Sequence, residues 1–124
     1  MKRLAWMGAL ALALAGCGAE YDHTEITNVK GSPPFQGTMS YARIVVPVGM
    51  VVTAHIVSLD DATKTMTTVV RSKNTSVLDV ATVVSANDYA FFGLAPGTTD
   101  VELTADGKVV LIVTAVVIEQ PPLP

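Results

Sequence analysis

The sequence predicts an all-β sandwich of about seven short strands, and three observations carry that prediction. Valine, threonine and alanine recur in short runs, a composition that favours strands over helices. Several runs alternate apolar and polar residues with a period of two, Thr98 to Ala105 most cleanly. Turn signals separate the runs at the regular spacing of a sandwich.

The 124 residues suffice for one small domain and not two. The chain is 50% hydrophobic and 15% charged, with a net charge of −3 and 6% aromatic residues. An acidic, aromatic-poor chain with scattered lysines is a poor fit to nucleic acid. One cysteine, Cys17, allows no internal disulfide.

The first residues read as a leader. Lys2 and Arg3 form a positive start, and Leu4 to Ala15 an uncharged apolar run with Trp6 and Met7. A membrane-spanning helix needs about 20 apolar residues, so this shorter run fits a secretory signal-peptide helix over residues 1–16. At its end Leu14-Ala15-Gly16-Cys17 resembles the lipobox of bacterial lipoproteins. The resemblance implies cleavage before Cys17, diacylglycerol on its thiol and a further acyl chain, such as palmitate, on the new N-terminus. Several acyl chains anchor a protein stably, where one holds it only marginally. Gly18 follows where an aspartate would favour the inner membrane, so the resemblance leans toward the outer membrane of a Gram-negative envelope.

Residues 17–40 are expected to be the lipidated N-terminus and an irregular tether. Gly31-Ser32-Pro33-Pro34 and Gly37 break regular structure, and Glu20, Asp22 and Glu25 make the segment acidic. Ile26 to Val29 reads as one short candidate strand. The sandwich is expected over 41–119. Tyr41 to Val48 is its first run, with Pro47 suited to a sheet edge or a break. Met50 to Leu59 follows, with Val52, Ala54 and Ile56 on one face and Thr53 and His55 on the other. Asp60 to Lys64 is a polar turn, Thr65 to Arg71 a strand, and Ser72 to Ser76 a loop. Val77 to Val84 and Tyr89 to Leu94 are strands about the turn Ser85 to Asp88. Thr98 to Ala105 places Val101, Leu103 and Ala105 inward. Asp106-Gly107 is the best hairpin signal in the chain, and Lys108 to Ile118 closes the fold. Prolines in 120–124 end it, since proline cannot continue a ladder.

Three pieces are similar to bacterial immunoglobulin-like domains of the group 2 type. They are Val48-Gly49 before the second strand, Ser72 to Val77, and Gly93-Leu94-Ala95-Pro96-Gly97-Thr98 before an alternating strand. The match spans roughly Tyr41 to Ile118 and implies an immunoglobulin-like sandwich. It departs from the family at the core tryptophan of the third strand. That strand reads Thr67-Thr68-Val69-Val70, so a smaller residue fills the space or the sheets pack closer.

Candidate chemistry is sparse. A serine triad needs a histidine beside a nucleophile and an acid, and zinc needs about four clustered ligands. His23, beside Asp22 and near Glu25, and His55, mid-strand, are the two histidines. Asp60 and Asp61 are the calcium candidates, with Asp88, Asp100 and Asp106 in other turns. Their spacing matches no known calcium loop, and turn aspartates usually bond their own backbone. Tyr89, Phe91 and Phe92 are the aromatics a sugar site would need, although one face of that strand is expected to be core. The run 109–118 is apolar on both faces, which implies internal cover, from the segment around Ile26 or a loop, or else a partner.

The expected function is a non-catalytic module, without cofactor, anchored to the membrane through acylated Cys17. Its partner would be an envelope protein or a surface polymer. A carbohydrate-binding surface lipoprotein is the alternative. A small metal-dependent periplasmic enzyme would require His55 and two carboxylates in one place.

Overall fold

The computed structural model describes residues 20–31, 37–83 and 87–120. The expected signal peptide (1–16), the expected lipobox Leu14 to Cys17, Pro33-Pro34, the turn residues Ser85 and Ala86 and the final prolines lie outside them. The described residues contain nine strands and no helix. They are β1 Tyr21–Gly31, β2 Thr38–Met39, β3 Arg43–Pro47, β4 Val51–Asp60, β5 Thr68–Ser72, β6 Leu78–Val83, β7 Asp88–Gly93, β8 Gly97–Ala105 and β9 Lys108–Ile118.

Two sheets face each other. One has the order β1-β4-β7-β6, the other β2-β3-β9-β8-β5. The first is the ABED sheet of a constant-type immunoglobulin sandwich, and β5, β8 and β9 are its CFG strands. β3 runs parallel to β9, from Arg43 opposite Thr114 to Pro47 opposite Ile118. Pro47 lacks an N–H, and the short β2 reaches β3 only at Ile44 and Val45, so no ladder bond is lost there.

Alternation decides what is buried. On β4 the side chains of Val52, Ala54, Ile56, Ser58 and Asp60 point inward, and those between them are half-buried on the outer face. Val101, Leu103 and Ala105 of β8 and Val113, Ala115 and Val117 of β9 close the core from the other sheet. Phe91 is its largest fully buried side chain. The β8–β9 hairpin turns at Asp106 (φ 48°) and Gly107 (φ 86°), the two left-handed residues of a type I′ turn. Asp106 also receives the Thr67 N–H on Oδ1 at 2.9 Å, tying the turn to the start of β5.

The sandwich is as expected, with two corrections. Residues 17–40 are not an irregular tether throughout, because β1 pairs with β4 from Tyr21↔Asp60 to Gly31↔Val52 and β2 pairs with β3. The sandwich therefore includes β1 and β2 and is not confined to residues 41–119. The signal was masked because the inward residues of β1 are Thr24 and Ile26, one of them polar, and two bulges interrupt the period. One bulge falls between Tyr21 and His23, the other between Thr27 and Lys30, where Asn28 takes φ 55°. The second correction concerns β9. Ile26 packs into the core from the β1-β4 sheet and does not cover the outer side of β9. Val109 and Ile112 remain 51% and 53% exposed there.

On β5, where the sequence resemblance leads one to expect a tryptophan, Val70 and Ser72 are the buried residues, with buried Met66 ahead of them. A cleft of about 540 Å³ opens beside them, lined by Thr68, Thr82 and Tyr89 among others. The smaller side chains thus leave space at this edge of the sandwich.

The sheets approach each other closely where β7 ends. A Cβ on Gly93 would stand 2.6 Å from the Pro47 carbonyl oxygen and 3.1 Å from a Val117 methyl. Backbone cannot yield as a side-chain tip can. Gly93→Ala is therefore expected to destabilise the domain by about 1–3 kcal/mol, the usual cost of overpacking. A urea midpoint unchanged from the parent would refute this close approach.

Candidate functional site

The outer face of the β1-β4-β7-β6 sheet holds the described residues with the richest side-chain chemistry. Antiparallel register stacks them in rows. Thr27, His55 and Asp88 form one row across β1, β4 and β7; Lys30, Thr53 and Ala90 form the next. The small residues Thr53 and Ala90 leave a trough of about 260 Å³ between the taller ones. Asn28, Lys30, His55 and Asp88 line it. His55 Nδ1 lies 2.9 Å from Asp88 Oδ1. An ionised carboxylate only accepts, so this bond places the ring proton on Nδ1 and leaves the Nε2 lone pair free in the neutral imidazole. Asn28 joins the trough through the bulge between Thr27 and Lys30, which adds a residue to β1. Position along the sequence alone does not announce this grouping; Asn28 and Lys30 meet His55 only through the pairing of β1.

His23 makes a second cluster, at the start of β1. Its Nδ1 is 2.7 Å from Asp22 Oδ2 and its Nε2 3.0 Å from Glu25 Oε2. The bulge between Tyr21 and His23 lets consecutive residues cooperate here. Glu25 first, then Asp22, hold the His23 pKa above its ordinary 6.5 by hydrogen bonding. The two carboxylates engage opposite ring nitrogens, so the three groups do not converge on one point.

The other sequence candidates are dispersed. Asp60 is buried, and its Oδ1 accepts the N–H groups of Ala62 and Lys64, both at 2.8 Å. That oxygen holds its own turn, while Asp61 is exposed. Asp88 pairs with His55, Asp106 with the Thr67 backbone, and Asp100 is exposed. Among the described residues no three or more histidine, cysteine, aspartate or glutamate side chains are placed to hold a metal ion. His55 has one carboxylate partner, not two. The aromatic cluster divides as strand alternation requires. Tyr89 and Phe91 are core, and Phe92 is 39% exposed on the outer face. Tyr89 donates its hydroxyl to the Thr68 carbonyl at 3.1 Å, and burial pushes its pKa up. These rings therefore make no joint stacking platform.

No family model matches the chain, and no curated protein sequence does either. Solved structures do match. Domains 4 and 5 of the S-layer protein SbsC superpose with a TM-score of 0.58 at 18% identity, over 82% of this chain and 54% of that one. SbsC domains 4–9 give a TM-score of 0.61 at 17% identity, over 86% of this chain and 15% of that one. The fragment rSbsC(31–844) gives 0.57 at 19%, over 82% and 14%. This chain thus spans about half of the first structure and far less of the others. At these identities the likeness is one of fold.

The clamp on His23 contributes stability that is fully present below the unfolded pKa, near 6.5, and is lost as pH rises through the raised folded value. The group is solvent-exposed, so the effect on stability is small and screened by salt. An NMR titration is expected to place the His23 midpoint above 6.5, and Glu25→Gln to lower it more than Asp22→Asn. A midpoint at or below 6.5 in the parent would show that the clamp does not form in solution.

Proposed function

We propose that this chain is a non-catalytic structural or binding module of the bacterial cell envelope, anchored by lipid at Cys17. The observation that supports it most is the sandwich itself, which shares its fold with domains of an S-layer protein over more than four-fifths of the chain. Such a fold alone does not fix a function. The leader adds the address: a basic start, an apolar run and Leu14-Ala15-Gly16-Cys17 with the sole cysteine. Gly18 favours the outer membrane where there is one. The side-chain chemistry agrees with binding rather than catalysis. The one cross-strand His–Asp pair, His55 with Asp88, has no described nucleophile hydrogen-bonded to its other nitrogen.

In this role the domain is held at the membrane surface and presents its sheet faces and loops to another envelope protein or a surface polymer. The carbohydrate-binding alternative keeps one supporting observation, the polar trough around His55.

The anchor is tested by fractionation. Cys17→Ala is expected to remain unprocessed or to leave the membrane fraction, while the parent incorporates labelled palmitate. A variant that matures and sediments with membranes like the parent would remove the lipid anchor from this reading. Crosslinking in intact envelopes then separates the roles. One stoichiometric protein partner supports a protein-binding module, and recovery of polymer alone supports the glycan alternative.

A further inference from the structure

We propose that the trough on the outer face of the β1-β4-β7-β6 sheet is a binding site for one acidic sugar residue, a pyranose carrying a carboxylate. The lining mixes both senses of hydrogen bond within a small area. His55, with its proton fixed on Nδ1 by Asp88, offers a lone pair on Nε2 to a ligand hydroxyl. Thr53 and the Asn28 amide each donate and accept. A ligand that satisfies such a set carries several hydroxyl groups on one rigid frame. The Ala90 methyl group provides a short apolar floor for the C–H face of a ring. A volume of about 260 Å³ lies just under the usual range for drug-sized ligands, as suits a single ring.

Lys30 supplies the charge selectivity. It is exposed on β1 and has no ion-pair partner among the described residues, although the chain is acidic overall. The register puts it beside Thr53, while Asp88 stands on the far side of β4. Two strand spacings, about 10 Å, separate the β1 rim from the β7 rim. A carboxylate at the Lys30 rim therefore avoids Asp88, and the ring hydroxyls reach across to His55. A ligand reversed in the trough would oppose its carboxylate to that of Asp88. The geometry thus selects both the class of ligand and its direction. Phe92, the next outward residue of β7, stands one row beyond Ala90 and extends the same face.

This inference rests on the envelope reading only for the biological source of the glycan. Its test is separate. The purified full chain is titrated with methyl glucuronide, methyl glucoside and sodium acetate, and amide shifts are followed by NMR. Methyl glucuronide is expected to move Thr53, His55 and Ala90 saturably at low salt, and the glucoside to need about two- to fivefold more ligand, the effect of one solvent-exposed charge pair. Acetate should give no saturable change at these positions. Lys30→Met should reduce the glucuronide to the glucoside's affinity, and His55→Phe should weaken both sugars. Unshifted amides of Val101 and Leu103 in each variant show that the core is intact. No saturable shift with the glucuronide, an acetate response equal to it, or an undiminished preference in Lys30→Met would each overturn the proposal. Normal fractionation with failed sugar binding would sink this site and leave the envelope role standing.

Discussion

The two-residue period of β4 is the constraint on which the rest of the structure depends. This strand touches both neighbours in its sheet, and its alternate side chains serve different purposes. Val52, Ala54 and Ile56 reach the core, while Thr53 and His55 line the trough. A slip of one residue would bury His55 and expose Ile56. Core and surface chemistry are therefore two consequences of one register. The flanking strands obey the same parity, since Phe91 is core while Asp88 and Ala90 face outward.

The inward side of β4 turns polar at one end, and the structure compensates locally. Ser58 Oγ lies 3.0 Å from Thr24 Oγ1, which lies 2.9 Å from the Tyr21 hydroxyl. Ser58 N donates to Thr68 Oγ1, and Asp60 holds the following turn. A buried polar group without a partner costs about 1–3 kcal/mol, and among the described residues no buried side-chain nitrogen or oxygen is left in that state. This chain of hydroxyls fastens β1 to β4 and β4 to the start of β5. The end of the core is thereby closed by hydrogen bonds in place of apolar contact.

Much of this was legible in the sequence where one physical signal dominated. Thr98 to Ala105 and Val52 to Ile56 alternate without interruption, so their inward residues could be named. Asp106-Gly107 specified its turn, because both positions adopt positive φ. β1 was not legible as part of the domain. Its inward pair is Thr24 and Ile26, and its bulges shift the parity twice, so no period survives a linear reading. The outer face of β9 misled for a related reason. A doubly apolar run implies cover, yet Val109 and Ile112 face outward in a sheet whose next strand, β8, places Glu102 opposite Ile112. The histidine pairings were legible as neighbours for His23 and hidden for His55, whose partner Asp88 lies on another strand. A trough assembled from three strands has no linear signature.

The position of β9 has a consequence for how the chain acquires its structure. β9 lies between β3 and β8, and β3 aligns with it in parallel, so Arg43 meets Thr114 only after most of the domain has been laid down. Pairings this distant in sequence are slow to form because the intervening loop must first be ordered. Until β9 arrives, β3 has only the two-residue β2 as a neighbour. The five-stranded layer is then split, and the core lacks Val113, Ala115 and Val117. Folding is in this sense gated by its last strand. Until that strand docks, the other strands have no complete second layer to close against, so the sandwich is sealed only when β9 is in place.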